Sequence, residues 1–312
     1  MKQYWVTGAD GFIGRHLSQY LVSQGHQVCA LGFRHNSPAS NDPDWADWAE
    51  GEVNGTLLDA LATRHAAPDA IFHLAGGGSV GASFADPWGD YCRTVGSTGA
   101  ILDWVRLNAP QTRLLQVSSA AVYGGGHHGP ISESVPLDPY SPYGAHKLAA
   151  EVLCQSAVKN FGVDALIVRP FSIFGTGLRK QLLWDVACKL RHQPEALELG
   201  GTGDEMRDWL PVGDLVGILV SLADKELPSG TIYNAGTGVA ISVSQIVRWL
   251  ACAFGAADID LKFSGAARAG DPENLIADTG RLSASGILPT PDIRAAIKDY
   301  AAWFKRDQQW FV

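Results

Sequence analysis

A glycine-rich turn, Gly8-Ala9-Asp10-Gly11-Phe12-Ile13-Gly14, limits how this 312-residue chain can fold more than any other stretch does. It follows a short β-type run at residues 4–7. It opens residues 12–24, where Phe12, Ile13, Leu17 and Leu21 recur at helical spacing. Glycines let the backbone bend tightly between strand and helix, and a helix start exposes unpaired N–H groups and the positive end of its dipole. The turn is therefore shaped for a pyrophosphate, with Gly8, Gly11, Phe12, Ile13 and Gly14 around it. Its spacing is G-x-x-G-x-x-G rather than G-x-G-x-x-G, and alone it describes an unliganded β–α turn equally well. The strand before it and the helix after it favour a dinucleotide site.

Strand-like runs at residues 27–31, 69–74, 113–118 and 163–168 alternate with helix-like stretches at 88–107 and 143–161. This predicts an α/β chain of Rossmann type: a doubly wound parallel sheet with helices on both faces. The pattern loosens after Arg169. Residues 175–208 are glycine-rich, with a helical stretch near 182–190; a late strand is expected at 231–234, and helices at 242–254 and 293–305. The expected division is a dinucleotide-binding domain over 1–170, rejoined by segments near 208–235. A smaller mixed α/β substrate lobe takes 171–207 and 236–312. No internal repeat is visible.

Composition narrows the partners. A net charge of −8 gives no global positive field to draw in nucleic acid or an anionic membrane, so an anionic substrate needs local cations. Five scattered cysteines with no C-x-x-C pair argue against a disulfide framework or a thiolate zinc site, and no metal site is expected. His127 and His128, in a glycine loop, read as solvated, with metal binding the minor alternative. No apolar run is long enough to span a bilayer, and the opening Met1–Val6 leaves no room for a leader before the glycine turn. These features predict a cytoplasmic, reduced location.

An acidic residue after the second strand of such a fold binds the ribose 2′-hydroxyl and rejects a 2′-phosphate. Here residues 27–31 end in Gly32-Phe33-Arg34-His35. Glycine removes the anion and Arg34 can pair with a phosphate, so NADP(H) is favoured, with NAD(H) the alternative; Arg34 also reads as a solvated loop cation.

A second motif is Tyr143-Gly144-Ala145-His146-Lys147. Residues four apart share a helix face, so Tyr143 and Lys147 can enter one cleft. A free tyrosine, with a pKa of about 10, is a poor base at neutral pH; a nearby ammonium and the positive nicotinamide of an oxidised cofactor favour the phenolate. Tyr143 can then exchange a proton with a substrate oxygen while hydride moves at the adjacent carbon. Lys147 can also hold the nicotinamide ribose. Ser119, at the carboxyl end of a strand, can hydrogen-bond the reacting oxygen. Y-x-x-x-K is common by chance; its place after a strand ending in serines argues for function. His146 reads as a packing or surface residue.

Together these motifs resemble the extended short-chain dehydrogenase/reductases, in the branch called the NAD-dependent epimerase/dehydratase family. The resemblance runs through nearly the whole chain. Gly51-Glu52 is similar to that family's Gly-Asp, whose carboxylate contacts adenine, and Glu52 also reads as a strand-end surface acid. His73-Leu74-Ala75-Gly76 resembles its H-L-A-A strand end, which places Leu74 and Ala75 beside the cofactor. Ser119, Tyr143 and Lys147 match its catalytic trio. Arg169-Pro170-Phe171-Ser172-Ile173-Phe174-Gly175 resembles R-P-x-N-V-Y-G, and Arg207-Asp208-Trp209-Leu210-Pro211-Val212-Gly213-Asp214 resembles R-D-x-x-x-V-x-D. Tyr233-Asn234-Ala235-Gly236 and Arg268-Ala269-Gly270-Asp271-Pro272 match later signatures. The resemblance implies a seven-stranded cofactor domain, a nucleotide-diphosphate-sugar substrate and a homodimer formed through the helices at 88–107 and 143–161. It implies that Arg207 and Arg268 contact the substrate diphosphate, as suits a guanidinium fork. Ion pairing of Arg207 with Asp208 or Asp214, and of Arg268 with Asp271, is the structural alternative.

Departures from the family pattern bear on the reaction. Its 4,6-dehydratases carry Thr-Asp-Glu where this chain has Ser119-Ala120-Ala121, so dehydration lacks its acid and base. Thr94 and Ser172 replace two family asparagines. The expected reaction is hydride transfer at sugar C4, best read as reduction of an NDP-4-keto-6-deoxy sugar, with 4-epimerisation the alternative. A cofactor-binding scaffold without catalysis and a reductase of a non-nucleotide substrate are further readings. The loop at 124–141 is long enough to be a lid, and Glu133 within it reads as a loop carboxylate or a sugar-hydroxyl partner.

Overall fold

The structure, a computed structural model, describes residues 1–33, 42–193, 195–266 and 272–307. Arg34 and Arg268 lie outside the described residues. In chain order the elements begin β1 (Gln3–Thr7), α1 (Phe12–Ser23), β2 (Gln27–Gly32), β3 (Asp47–Glu50), α2 (Gly55–Ala62), β4 (Ala70–His73), α3 (Val80–Ala85) and α4 (Pro87–Tyr91). A π-helical turn (Cys92–Gly96) leads into α5 (Ser97–Asn108), then β5 (Arg113–Val117), a 3₁₀ turn (Ala120–Tyr123), α6 (Pro142–Phe161) and β6 (Ala165–Pro170). Next come β7 (Ser172–Phe174), α7 (Gln181–Arg191), β8 (Ala196–Leu199), β9 (Met206–Pro211), α8 (Val212–Asp224) and β10 (Ile232–Ala235). The chain closes with β11 (Ala240–Ser242), α9 (Val243–Phe254), β12 (Asp260–Phe263), β13 (Asn274–Leu275), α10 (Gly280–Ala284) and α11 (Ile293–Arg306).

Two units can be told apart. The first comprises Met1–Gly124, Glu133–Pro170 and Val216–Asn234; the second comprises Gly125–Ser132, Phe171–Leu215 and Ala235–Val312. The first is built on a seven-stranded sheet ordered β10-β6-β5-β4-β1-β2-β3. β1 runs parallel to both β2 and β4, and β2–β3, β4–β5 and β5–β6 are parallel too. The order reverses between β1 and β4, the switch point where ligands bind in such sheets. β1, β2, β4, β5 and β6 are buried on both faces, as strands inside a parallel sheet are. Alternate residues Trp5, Cys29, Leu31, Ile71, Leu114 and Ile167 join one core with Ile101 and Val105 of α5 and Cys154 and Ala157 of α6. Tyr4, Val6, Val28, Phe72 and Leu115, which alternate with them, are fully buried as well.

The single helix expected at 88–107 is interrupted: α4 passes through the π turn into α5. The extra residue in the π turn places Thr94 in the interior, 1 % exposed. In the second unit β9 pairs with β7, β11 and β13, and β12 pairs with β8.

Candidate active site

The glycine turn begins where β1 ends. Gly8 adopts φ +65° and donates its N–H to Leu31 O at 2.8 Å. A Cβ there would lie 2.9 Å from Ala75 N and 3.0 Å from Leu74 C, on the loop after β4. A Cβ on Gly14 would collide with the Gly8 carbonyl, so the third glycine lets α1 start against its own strand. α1 starts at Gly11 with no side-chain cap, which leaves its first-turn N–H groups, Phe12 and Ile13 among them, without that partner. Asp10, an anion within the turn, is ion-paired with Arg15, which also bonds Asp42 at 2.8 Å. This cradle of glycines around uncapped N–H groups fits a dinucleotide pyrophosphate. Gly32, the last residue of β2, has φ +137°. Glu52 stands exposed just past β3, while Gly51 donates its N–H to Gly32 O at 3.1 Å.

A buried hydroxyl–imidazole chain fixes the loop after β4. Thr7 Oγ1 accepts from the N–H groups of Leu74 and Ala75, both at 3.1 Å, and sits 2.7 Å from His73 Nδ1. Thr7 therefore donates its proton to Nδ1, which leaves the His73 proton on Nε2. Ser97 and Thr98 hydroxyls lie 3.2 Å from Nε2 and spend their own protons on Arg93 O and Thr94 O, so both can accept it. Full burial, with the Lys147 charge adding to it, pushes His73 down to about 3. It is a neutral strut that holds Leu74 and Ala75 against Gly8.

Ser119, Tyr143 and Lys147 come together in the first unit. Ser141 caps α6, its Oγ accepting from Gly144 N at 3.1 Å. Ser83 Oγ accepts from Tyr143 N at 3.0 Å, pinning the first turn of α6 to α3. Ser119 is partly buried; its Oγ accepts from Ala121 N at 3.1 Å and is hydrogen-bonded to the Tyr143 phenol. Lys147, 4 % exposed, donates to Val117 O at 3.0 Å, with its Nζ 5.8 Å from the centre of the Tyr143 ring. Burial pushes the Tyr143 phenol up, against the lowering by its Ser119 hydrogen bond. The ammonium is turned to a main-chain carbonyl at the end of β5, and burial outweighs the hydrogen bond. Burial also pushes Lys147 down to about 8, opposed by the carboxylates of Asp90 and Glu151.

Beneath this site runs a buried polar network. Glu151, one turn past Lys147, binds Arg169 through two contacts (Nε–Oε1 2.9 Å, Nη2–Oε2 2.5 Å) and accepts from Ser118 Oγ at 2.5 Å. Arg169 Nη1 also donates to the Tyr123 hydroxyl at 2.9 Å, which donates to Asn234 Oδ1 at 2.5 Å. Glu133 accepts from Asn234 N at 3.0 Å, so it is a buried structural carboxylate in this network. Thr94 Oγ1 accepts from Gly77 N at 2.9 Å. Sequence reasoning missed Thr7, Ser83, Asp90 and Glu151; only Glu151 left a signal, since it extends Y-x-x-x-K by one more turn to Y-x-x-x-K-x-x-x-E. His146, read as packing or surface, lies 2.6 Å from Asp90 Oδ2.

In the second unit Arg207, 8 % exposed on β9, donates to Met206 O at 2.9 Å. Its neighbour Asp208 is fully buried and accepts from the N–H groups of Thr237, Gly238 and Ala277 at 2.7, 2.8 and 3.1 Å. That carboxylate organises the turn after β10. Among the described residues, no group of three or more His, Cys, Asp or Glu is placed to hold a metal ion, and no helix is long and apolar enough to cross a membrane.

The NAD dependent epimerase/dehydratase family model matches residues 4–236. The chain belongs to that family. It is 31 % identical over 264 residues to the UDP-glucose 4-epimerase of Mycolicibacterium smegmatis, covering 81 % of this chain and 83 % of that protein. It is 29 % identical over 258 residues to the GDP-6-deoxy-D-mannose reductase of Pseudomonas aeruginosa, covering 80 % and 79 %. The solved structure of MoeE5 in complex with UDP-glucuronic acid and NAD superposes with a TM-score of 0.83 at 28 % identity, covering 97 % of this chain and 99 % of that one. The chain is thus an NAD(P)-dependent enzyme of the nucleotide-sugar epimerase, dehydratase and reductase group.

Proposed function

We propose that this enzyme transfers hydride at C4 of a nucleotide-diphosphate sugar, and that its net reaction is reduction of a 4-keto sugar with NADPH. The Ser119–Tyr143–Lys147 cluster beside the glycine turn carries the reading. A bound nicotinamide supplies the hydride. Tyr143 supplies the proton to the sugar oxygen: burial raises its phenol, so it is protonated at neutral pH and ready to donate. Ser119 holds the same oxygen and orients the phenol. Lys147 holds the ribose and offsets negative charge on Tyr143 after it has donated. Gly8, Gly11, Phe12, Ile13 and Gly14 hold the pyrophosphate, Leu74 and Ala75 line the cofactor and Glu52 meets the adenine. Arg207 and Arg268 take the substrate diphosphate. Ala120 and Ala121 offer no carboxyl for elimination of water.

Gly32 supports NADP(H) over NAD(H). Its φ of +137° lies in a region that disfavours any side chain, so an aspartate cannot replace it without moving the backbone. Arg34 is then the partner for a 2′-phosphate. The expected result is a dissociation constant for NADP⁺ about tenfold or more below that for NAD⁺, since one charge-assisted pair contributes roughly 1.5–3 kcal/mol. A clear NAD⁺ preference would reverse this part of the reading.

A second reading, 4-epimerisation, is favoured by the likeness to the M. smegmatis epimerase, and the NAD in the MoeE5 complex goes with it. A panel of NDP-sugars and NDP-4-keto sugars, with and without NADPH, separates the two. Stoichiometric NADPH consumption marks the reductase, interconversion without net consumption the epimerase, and no turnover on any member removes both. A homodimer through α5 and α6 is supported by the exposed apolar residues Leu107, Val152 and Phe161 on them. Sedimentation at twice the 33.3 kDa chain mass is expected, and a single-chain mass would remove this reading. The free state of all five cysteines goes with the proposed cytoplasmic location.

A further inference from the structure

Asp90 has no place in the chemistry above, yet it is 1 % exposed on α4. A buried carboxylate is unfavourable unless something answers its charge. One partner is His146: a carboxylate can only accept, so the imidazole Nδ1, 2.6 Å from Asp90 Oδ2, donates. The His146 ring is held in turn edge-on to Tyr91, with centroids 5.6 Å apart. The other side of Asp90 faces the loop after β4. A Cβ on Gly77 would collide with the Asp90 carboxylate, while a Cβ on the preceding Gly76 would lie 3.4 Å from Lys147 Nζ. The carboxylate and the ammonium thus pack against two successive glycines of one loop.

We propose that Asp90, clamped by His146, is a positioning residue of the active site: its carboxylate is the buried counter-charge that keeps Lys147 an ammonium. Glu151 is the other carboxylate near Lys147, but its charge is already answered by the two-point pair with Arg169. Asp90 instead has the His146 imidazole as its side-chain partner. It is also the leading group that holds Lys147 up against burial. Among the described residues, Tyr143 on α6 and His73 on β4 are further titratable neighbours of Lys147, the latter held neutral by burial. On the elements packed against α4, α3 carries no titratable side chain and the π turn carries Cys92 and Arg93. Arg93 is paired with the exposed Asp86 at 3.3 Å.

The inference rests on reading Lys147 as part of the hydride-transfer site, but its test does not need substrate. NMR titration of the ligand-free full chain, with lysine labelled at ¹³Cε and the Lys147 signal assigned by its loss in Lys147→Arg, reads the charge directly. The wild-type midpoint is expected at about 8. In Asp90→Asn it falls by about one pH unit or more, because an opposite charge has gone, and Asp90→Glu restores it. An ammonium exists below its midpoint, so the alkaline limb of kcat/KM moves to lower pH in the same variant. Asp90→Ser is the second neutral variant. An unchanged midpoint in either folded neutral variant overturns the proposal; so does failure of both to fold, which would make Asp90 a purely structural group. Absence of turnover on nucleotide sugars with a shifted midpoint would overturn the functional reading and leave the Asp90–Lys147 coupling standing.

Discussion

A Tyr143→Phe variant is expected to bind NADP(H) as the wild type does while its turnover falls about 10²–10⁴-fold, the usual contribution of a positioned proton donor. Phenylalanine keeps the ring that Lys147 Nζ faces at 5.8 Å, so the shape of the first turn of α6 survives. That turn is held by main-chain bonds, Tyr143 N to Ser83 Oγ and Gly144 N to Ser141 Oγ, neither of which involves the phenol. What is lost is the hydroxyl bonded to Ser119, and with it the proton for the sugar oxygen. Stopped-flow measurement of cofactor binding beside steady-state turnover separates the two effects. Unchanged turnover would refute the mechanism; loss of cofactor binding would place Tyr143 in binding rather than proton transfer.

The largest expected stability effect lies below the site. Arg169 is 1 % exposed, makes two contacts with Glu151, donates to Tyr123 and lies 4.8 Å over the Tyr123 ring. In Arg169→Met the guanidinium goes and the Glu151 carboxylate stays buried, with the Ser118 hydroxyl still bonded to one of its oxygens. Breaking a buried pair in this way costs about 3–5 kcal/mol. The double variant Arg169→Met with Glu151→Leu removes the stranded charge, so it is expected to recover much of that loss. Urea unfolding of the single and double variants checks this. A single-variant cost below about 1 kcal/mol, within the range of exposed pairs, would mean that water reaches Glu151.

These two residues also show what was legible in the sequence. Tyr143 was visible because helical spacing and a preceding strand end are local patterns, and the resemblance names its partners. The parallel sheet was legible for the same reason, since the strands buried on both faces are continuous apolar runs. The polar strand Asp47-Trp48-Ala49-Glu50 was not, since one buried residue in four leaves no period. α8 was missed for the opposite reason: Leu215, Val216, Ile218, Leu219 and Leu222 are all buried, and a helix apolar on several sides loses its 3.6-residue signature. The partners of the site residues were least legible. Asp90 meets His146 across 56 positions, Tyr123 meets Asn234 across 111, and Thr7 meets the loop after β4 across 67 and 68. Only the folded sheet and the π turn bring such residues together. Glu133, open between a sugar contact and a loop acid in the sequence, is bound to the Asn234 main chain.

In the proposed reaction, hydride moves at C4 of a nucleotide sugar through the Ser119–Tyr143–Lys147 site. NADPH carrying deuterium in the transferred position at nicotinamide C4, incubated with an NDP-4-keto sugar, tests it directly. NMR of the product is expected to show one deuterium at sugar C4, formed by the wild type and about 10²–10⁴-fold more slowly by Tyr143→Phe. Deuterium at another carbon, or product formed without deuterium, would contradict the account.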